Sequence, residues 1–274
     1  MQKIGVLYHP KVLRTLDIAH ELRARLDAEG VRTWIASAWA EEEVKAQLAQ
    51  TEVLITLGGD GTILRAARMS LDHNIPIAGV NFGRIGFLAE YQPEQVLNCL
   101  NDLVHGQYWI EERSVLHAEL WRGEQKFGEY FALNDVVIGR GTVARVVRMR
   151  VVIDHTESIR HTADGIIVAT PTGSTAYTVA AGGPIADPRV RVMIVTPIAP
   201  HLSLLGAMIV PDSSSIEIFV ESDYPALVSM DGQVELSLQS NDCVRVTTSG
   251  KTSRFVRTRP KEYFYANLSQ RLKL

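Results

Sequence analysis

The spacing of apolar positions changes near the middle of the chain. In the first third, short apolar runs alternate with segments whose apolar residues recur at helical spacing. Ile4-Gly5-Val6-Leu7-Tyr8 predicts a buried strand, and residues 12–28 predict a helix carrying Leu13, Leu16, Ala19, Leu22 and Leu26. Residues 31–36 predict a second strand, and 41–50 a second helix opened by acids that suit a helix N-terminus. Val53-Leu54-Ile55-Thr56-Leu57 predicts a third strand, followed by a helix over 63–69, a strand over 75–80 and a helix over 93–104. Alternation of this kind implies a parallel sheet covered by helices.

From Tyr108 to about residue 256 the pattern becomes many short strand-like runs, such as 115–121, 131–138, 143–153, 166–169, 216–220 and 243–248. Gly123, Gly139, Asp212-Ser213-Ser214 and Gly250 punctuate them, so this half reads as mostly β, a sandwich or layered sheets. Its one helix signal is 174–181, and 261–272 predicts a last helix. The expected fold is an α/β domain with a parallel sheet over 1–107, plus a β-rich domain over 108–256. The tail 257–274 is expected to pack back on the first domain.

Composition narrows the function classes. A chain of 274 residues with 46% apolar and 22% charged positions suits a two-domain globular protein. A net charge of −3 and no basic block argue against a nucleic-acid partner. Cys99 and Cys243 have neither disulfide nor metal-site spacing and suit a reducing compartment. The eight histidines show no metal-ligand spacing, and His201 alone invites attention. Residues 192–210 lack Asp, Glu, Lys and Arg, but Pro197, Pro200, His201 and Ser203 make two strands and a loop the better reading than a membrane span. No leader peptide is expected in residues 1–14, and the expected location is cytoplasmic.

Gly58-Gly59-Asp60-Gly61-Thr62 follows an apolar strand and precedes a helix. Such turns at the carboxyl ends of parallel strands bind ligands, and their glycines let backbone approach phosphate. An acid inside a phosphate cradle would be repelled by phosphate alone. Asp60 therefore reads as a metal ligand or as a base facing the attacking hydroxyl, with Arg65 offsetting negative charge. The plainer alternative is Asp60 as a helix N-cap. A second segment, Thr170-Pro171-Thr172-Gly173-Ser174-Thr175-Ala176-Tyr177, crowds hydroxyls around a glycine and adds an aromatic face, with Gly182-Gly183-Pro184 beyond it. Two decoys fail. Gly250-Lys251-Thr252 lacks the earlier glycine of a P-loop and reads as a basic hairpin, and Gly139-Arg140-Gly141-Thr142-Val143-Ala144 is followed by a strand pattern rather than a helix.

With Asn81-Phe82-Gly83-Arg84-Ile85-Gly86-Phe87-Leu88, Leu133-Asn134-Asp135-Val136-Val137-Ile138, Pro200-His201 and Asp231-Gly232-Gln233, these segments occur in an order that resembles the NAD kinase family. The resemblance implies phosphorylation of the adenosine-ribose 2′-hydroxyl of NAD by ATP or another donor such as polyphosphate. It implies NAD held between the two domains, a divalent cation such as Mg²⁺, and a dimer or tetramer. It assigns Asp60 as the base and implies NAD contacts at Asp60, Gly61, Arg65, Asn134, Asp135, Arg145, Thr162, Asp164, Thr175, Ala176, Tyr177, Thr178, Val179, Ala180 and Gln233. Asp135 stands where many relatives have Glu, and Thr162 where many have Arg, so that a phosphate or ribose contact is either lost there or passed to Arg160 or His161. Gly206-Ala207 replaces an Arg-Pro pair common in relatives. The glycine–aspartate turn by itself also fits a lipid or sugar kinase, and a dinucleotide sensor without turnover would keep the same binding residues.

Overall fold

A computed structural model describes residues 3–84, 86–141, 145–201, 206–266, 268 and 271. The chain divides into two compact units, 1–112 with 252–274, and 113–251. It passes between them inside two long strands, β5 (Trp109–Arg122) and β16 (Asp242–Arg257).

The first unit starts with β1 (Lys3–Tyr8), α1 (Leu13–Ala28), β2 (Arg32–Ser37), α2 (Glu41–Gln47), β3 (Val53–Gly58), α3 (Asp60–Ser70), β4 (Ile77–Asn81) and α4 (Val96–His105). The strands pair in parallel in the order β2-β1-β3-β4, and Phe255 near the end of β16 pairs in parallel with Ile77. The helical stripe predicted for α1 is realised in part. Ala19, Leu22 and Leu26 are buried with β-strand residues Ile4, Val6, Ile55 and Val80, whereas Leu13 is exposed at the helix start. All six positions of β3 are buried, as expected of a strand covered on both faces. The tail forms a short helix, α6 (Tyr263–Ala266). Much of the predicted helix over 261–272 lies outside the described residues.

The second unit continues through β5, then β6 (Gln125–Ala132), β7 (Asp135–Arg140), β8 (Val147–Ile153), β9 (Thr156–Ala163), β10 (Gly165–Ala169), α5 (Tyr177–Ala180), β11 (Val192–Ile198), β12 (Met208–Pro211), β13 (Ile216–Val220), β14 (Ala226–Met230) and β15 (Val234–Leu238). One antiparallel sheet runs β12-β11-β10-β7-β14-β15; in the other, β16 pairs with β13, which pairs with β8 and then β9. Inward residues of both sheets form one core, with Val136, Ile138, Ile166 and Val168 from one side and Met149, Val151, Ile216 and Ile218 from the other.

Four local expectations change. The predicted single strand over 131–138 is two strands broken at Leu133-Asn134. The helix expected over 174–181 is a 3-10 turn at Gly173–Thr175, a break at Ala176, and the four-residue α5. Gly250 lies inside the continuous strand β16, not in a hairpin. The strand run expected to start at 143 begins at Val147, with 142–144 outside the described residues. Among the described residues, no helix is long and apolar enough to cross a membrane. Both cysteines are buried free thiols, and burial pushes their pKa values up, Cys243 to about 12, which keeps them protonated.

Candidate functional site

In the first unit, β3 delivers Gly58 and Gly59 to the carboxyl edge of the parallel sheet, and Asp60 opens α3. Gly59, not Asp60, occupies the N-cap position, and no side chain caps the helix. The Asp60 carboxylate instead turns toward the loop after β4. It accepts the Phe87 N–H at 2.9 Å and the Leu88 N–H at 3.4 Å. Asp60 is half-buried, and burial pushes its carboxyl above the usual aspartate value. The two amide hydrogen bonds and the charges of Arg271 and Arg257 work against that rise. A carboxylate whose proton affinity is raised, with lone pairs still open, is a better proton acceptor than an ordinary aspartate.

Gly86 is part of this clamp. A Cβ there would overlap the Asp60 carboxylate. Gly86→Ala should therefore displace the Asp60 oxygens and lower kcat by about 10²-fold, the cost of misplacing a reacting group by about 1 Å. Steady-state kinetics beside a thermal melt checks this, and unchanged kcat would show that the carboxylate position does not matter.

Arg65 sits in α3 with its guanidinium over the Trp39 ring at 4.5 Å, and Trp39 also meets the His9 ring edge at 4.5 Å. Arg65 thus has an aromatic partner in addition to any role in offsetting phosphate charge.

The second unit assembles the other expected residues. Leu133-Asn134 breaks the strand because its backbone is held from elsewhere. The Asp231 carboxylate accepts N–H groups from Leu133 at 2.9 Å, Asn134 at 2.7 Å and Asp135 at 3.1 Å. Asp231 adopts a left-handed φ of 52°, and the Gln233 N–H closes the turn onto Met230. The 170–175 turn seats against the same segment. Thr170 donates its hydroxyl to the Leu133 carbonyl at 2.6 Å and its N–H to the Asn134 carbonyl at 2.9 Å. A Cβ at Gly173 would overlap the Asn134 carbonyl, which explains the glycine.

The crowd of hydroxyls in this turn is mostly internal wiring. Ser174 donates to the Pro171 carbonyl at 2.6 Å, Thr175 to the Thr172 carbonyl at 3.1 Å, and Thr172 accepts from buried Arg113 at 3.1 Å. These bonds are turn chemistry, so the hydroxyls do not stand as a free row of ligand donors. Thr178 is also fully buried, and its hydroxyl has no protein partner. Tyr177, by contrast, is 45% exposed. Ala176, Val179 and Ala180 are partly or fully accessible beside it.

Asp135 is buried, and the Tyr177 N–H bonds its carboxylate. Burial first, and the nearby Asp231 charge second, push Asp135 up to about 7, against the pull of the Tyr177 amide. The folded value exceeds the unfolded one, so the folded protein holds a proton that the unfolded chain releases from about pH 4 upward. The resulting stabilisation is fully present below about pH 4, is lost as pH rises toward 7, and changes no further above that. Asp135→Asn cannot ionise and can still accept the Tyr177 N–H. Scanning calorimetry should show the wild-type Tm falling more than the variant's between pH 5 and 8; parallel curves would reject the burial of an ionisable Asp135 as the cause.

The remaining expected contacts are dispersed. Arg140 bonds Asp164 at 3.1 Å, Arg145 lies over the Tyr224 ring at 4.8 Å, and the Thr162 carbonyl accepts the His201 N–H at 2.8 Å. The two substitutes expected for Thr162 differ in setting, Arg160 being exposed and His161 buried. Arg160 bonds Glu157 at 3.0 Å, and His161 is buried with burial holding its pKa below the usual histidine value. Arg140 is the cation beside Asp164. Residues 202–205, just after His201, lie outside the described residues, and Gly206-Ala207 receives no explanation from its surroundings.

Two family models match the chain, one described as the ATP-NAD kinase N-terminal domain over residues 6–108, the other as the ATP-NAD kinase C-terminal domain over 133–258. A protein named NAD kinase from Dehalococcoides mccartyi (strain CBDB1) is 40% identical over 99% of this chain and 96% of its own. Another of that name from Chloroflexus aggregans is 39% identical over 100% and 99%. Among solved structures, an NAD kinase from Archaeoglobus fulgidus in complex with ATP matches with a TM-score of 0.79 at 26% identity, covering 99% of each chain. Yeast NADH kinase complexed with NADH shares the fold, with a TM-score of 0.86 at 23% identity over 100% of this chain and 88% of that one.

Proposed function

The chain belongs to the NAD kinase family and phosphorylates NAD to NADP, and we propose that Asp60 is the base that takes the proton from the adenosine-ribose 2′-hydroxyl. The observation that carries this role is the amide clamp. Asp60 stands at the carboxyl end of a parallel strand, oriented by the Phe87 and Leu88 N–H groups, with its proton affinity raised by burial. The 2′-oxygen attacks the terminal phosphorus of the donor. The new O–P bond forms as the bond from that phosphorus to the departing ADP breaks, and the hydroxyl proton moves to an Asp60 oxygen. The backbone at Gly58 to Gly61 offers a close approach for phosphate.

In the second unit, Asn134, Asp135 and Tyr177 are the residues that hold the adenosine half of NAD, with 175–180, Asp164, Arg145, Thr162 and Gln233 lining further contacts. The support is their joint placement: Asp231 and the 170–175 turn fix the Asn134-Asp135 backbone, and Tyr177 presents an accessible ring beside Asp135.

Among the described residues, no group of three or more His, Cys, Asp or Glu side chains is placed to hold a metal ion. In this reading the magnesium ion enters on the donor phosphates, which Mg²⁺ binds while keeping several waters, so that magnesium–ATP is the substrate complex. A cytoplasmic setting and an assembly of two or four copies complete the reading; sedimentation velocity tests the assembly. The deciding assay incubates the protein with NAD, ATP and Mg²⁺ and measures NADP. Absence of product with ATP and with polyphosphate would overturn the reading.

A further inference from the structure

We propose that Arg257, near the end of β16, is a positioning residue for the base, holding Leu88, one of the two residues whose N–H groups clamp Asp60, and supplying a fixed positive charge behind it. The inference rests on the assignment of Asp60 as the base.

Arg257 is buried, at 7% exposure, and its guanidinium is bonded at Nε and Nη1. Its Nη1 donates to the Leu88 carbonyl at 2.8 Å, and its Nε to Glu111 at 2.8 Å; Glu90 lies 3.5 Å from Nη1. Leu88 therefore has Arg257 on its carbonyl oxygen and Asp60 on its N–H. The two groups lie in successive peptide planes that meet at the Leu88 Cα, so the bond to Arg257 pins one side of the residue and narrows the backbone rotation left to the N–H that Asp60 accepts. A positive charge on the carbonyl side also polarises the segment in the direction that favours the carboxylate form.

The anchoring is redundant on the far side. Glu90 accepts the Thr258 N–H at 3.0 Å, the Thr258 hydroxyl at 2.9 Å and the Arg259 N–H at 3.0 Å, tying the tail to the segment that follows the clamp. The charged groups acting on Asp60 are Arg271 from the tail and Arg257 from β16, and those around Arg257 are Glu111 of β5, Glu90, Arg259 and Arg271. A buried cation held by two acids is an unusual device for stability alone, since replacing such a group by apolar residues is often neutral or better. Its contact with the clamp peptide gives it a purpose.

The test compares pH–rate profiles of wild type, Arg257→Lys and the double variant Arg257→Gln/Glu111→Gln, which removes the cation together with its closest acid. An ionised Asp60 is the active form, so rate falls on the acid side as it protonates. Loss of the cation raises its proton affinity, and the acid limb of kcat moves to higher pH. The expected result is a kcat about 10-fold lower or more for the double variant, KM values for NAD and ATP within about 2-fold, and partial rescue by Lys. Placed in an Asp60→Asn background, neither change should lower kcat further, because the group they position is gone. Wild-type kcat with an unmoved acid limb in folded variants overturns the proposal, as does a full additional loss in the Asp60→Asn background. If Asp60→Asn alone keeps near wild-type turnover, the base assignment fails instead, and the two failures are told apart in one set of assays.

Discussion

Asp60→Asn should lower turnover by about 10²–10⁴-fold, the usual loss when a general base is removed, while NAD affinity stays within several-fold. The amide keeps the size of the carboxylate and one acceptor oxygen. It can satisfy the Phe87 N–H at Oδ1, but its NH₂ group faces the Leu88 N–H, where Asp60 now offers a second oxygen. One hydrogen bond of the clamp is lost, worth about 1 kcal/mol of stability, too little to unfold a domain of this size. The kcat loss is therefore chemical rather than structural. The check is a kcat measurement joined to a direct NAD binding titration. A variant that binds and turns over like wild type would remove Asp60 from the mechanism, and one that neither binds nor melts normally would make it structural.

The turn around Asp60 was readable because its determinants are local. An apolar run, two glycines and an apolar helix face stand in sequence, and β3 and α3 begin within a few positions of where those signals begin. What the sequence does not display is the partner. The N–H groups that aim Asp60 belong to Phe87 and Leu88, and the arginine behind them lies another 169 positions on from Leu88. No spacing rule reaches that far. The same limit explains the strand read across 131–138. Val136 and Ile138 have strand periodicity and are buried as expected, but the break at Leu133-Asn134 is imposed by Asp231, 97 residues from Asn134.

Polarity signals were the least specific. Thr170, Thr172, Ser174 and Thr175 look alike as hydroxyls crowded near a glycine, and a ligand site and a tightly hydrogen-bonded turn need the same letters. Burial separates the two: Thr170, Thr172 and Ser174 face inward and bond to backbone or to Arg113. The bonds of Thr170 fix the 133–134 backbone instead. The resemblance to a family weighs the order of motifs along the chain and not the chemistry of any one.

Asp231→Ala should be the most damaging single change in the second unit. It removes the acceptor for three backbone N–H groups at Leu133, Asn134 and Asp135 and leaves them in a largely buried segment. Hydrogen bonds to a charged group contribute about 1.5–3 kcal/mol each, and unsatisfied buried donors cost about 1–3 kcal/mol. Coupling among neighbours makes the three less than additive, so a loss of about 3–5 kcal/mol is expected, with a large fall in Tm. The chemical effect is separable from this. Without Asp231 the 133–135 backbone is free to join β6 to β7 as a plain strand, Asn134 leaves its place against the 170–175 turn, and KM for NAD should rise by about 10²-fold or more, equivalent to about 3 kcal/mol of binding. Asp231→Asn keeps one acceptor oxygen and should fall between wild type and Ala in both respects. It also removes the negative charge that helps raise Asp135, so the pH dependence of stability should flatten toward that of Asp135→Asn. Calorimetry across pH with NAD kinetics at one pH measures all three. A folded Asp231→Ala protein with wild-type KM for NAD would mean that the Asn134-Asp135 backbone is held by the 170–175 turn alone, and that the cradle at Asp231 stabilises the fold without shaping the nucleotide site.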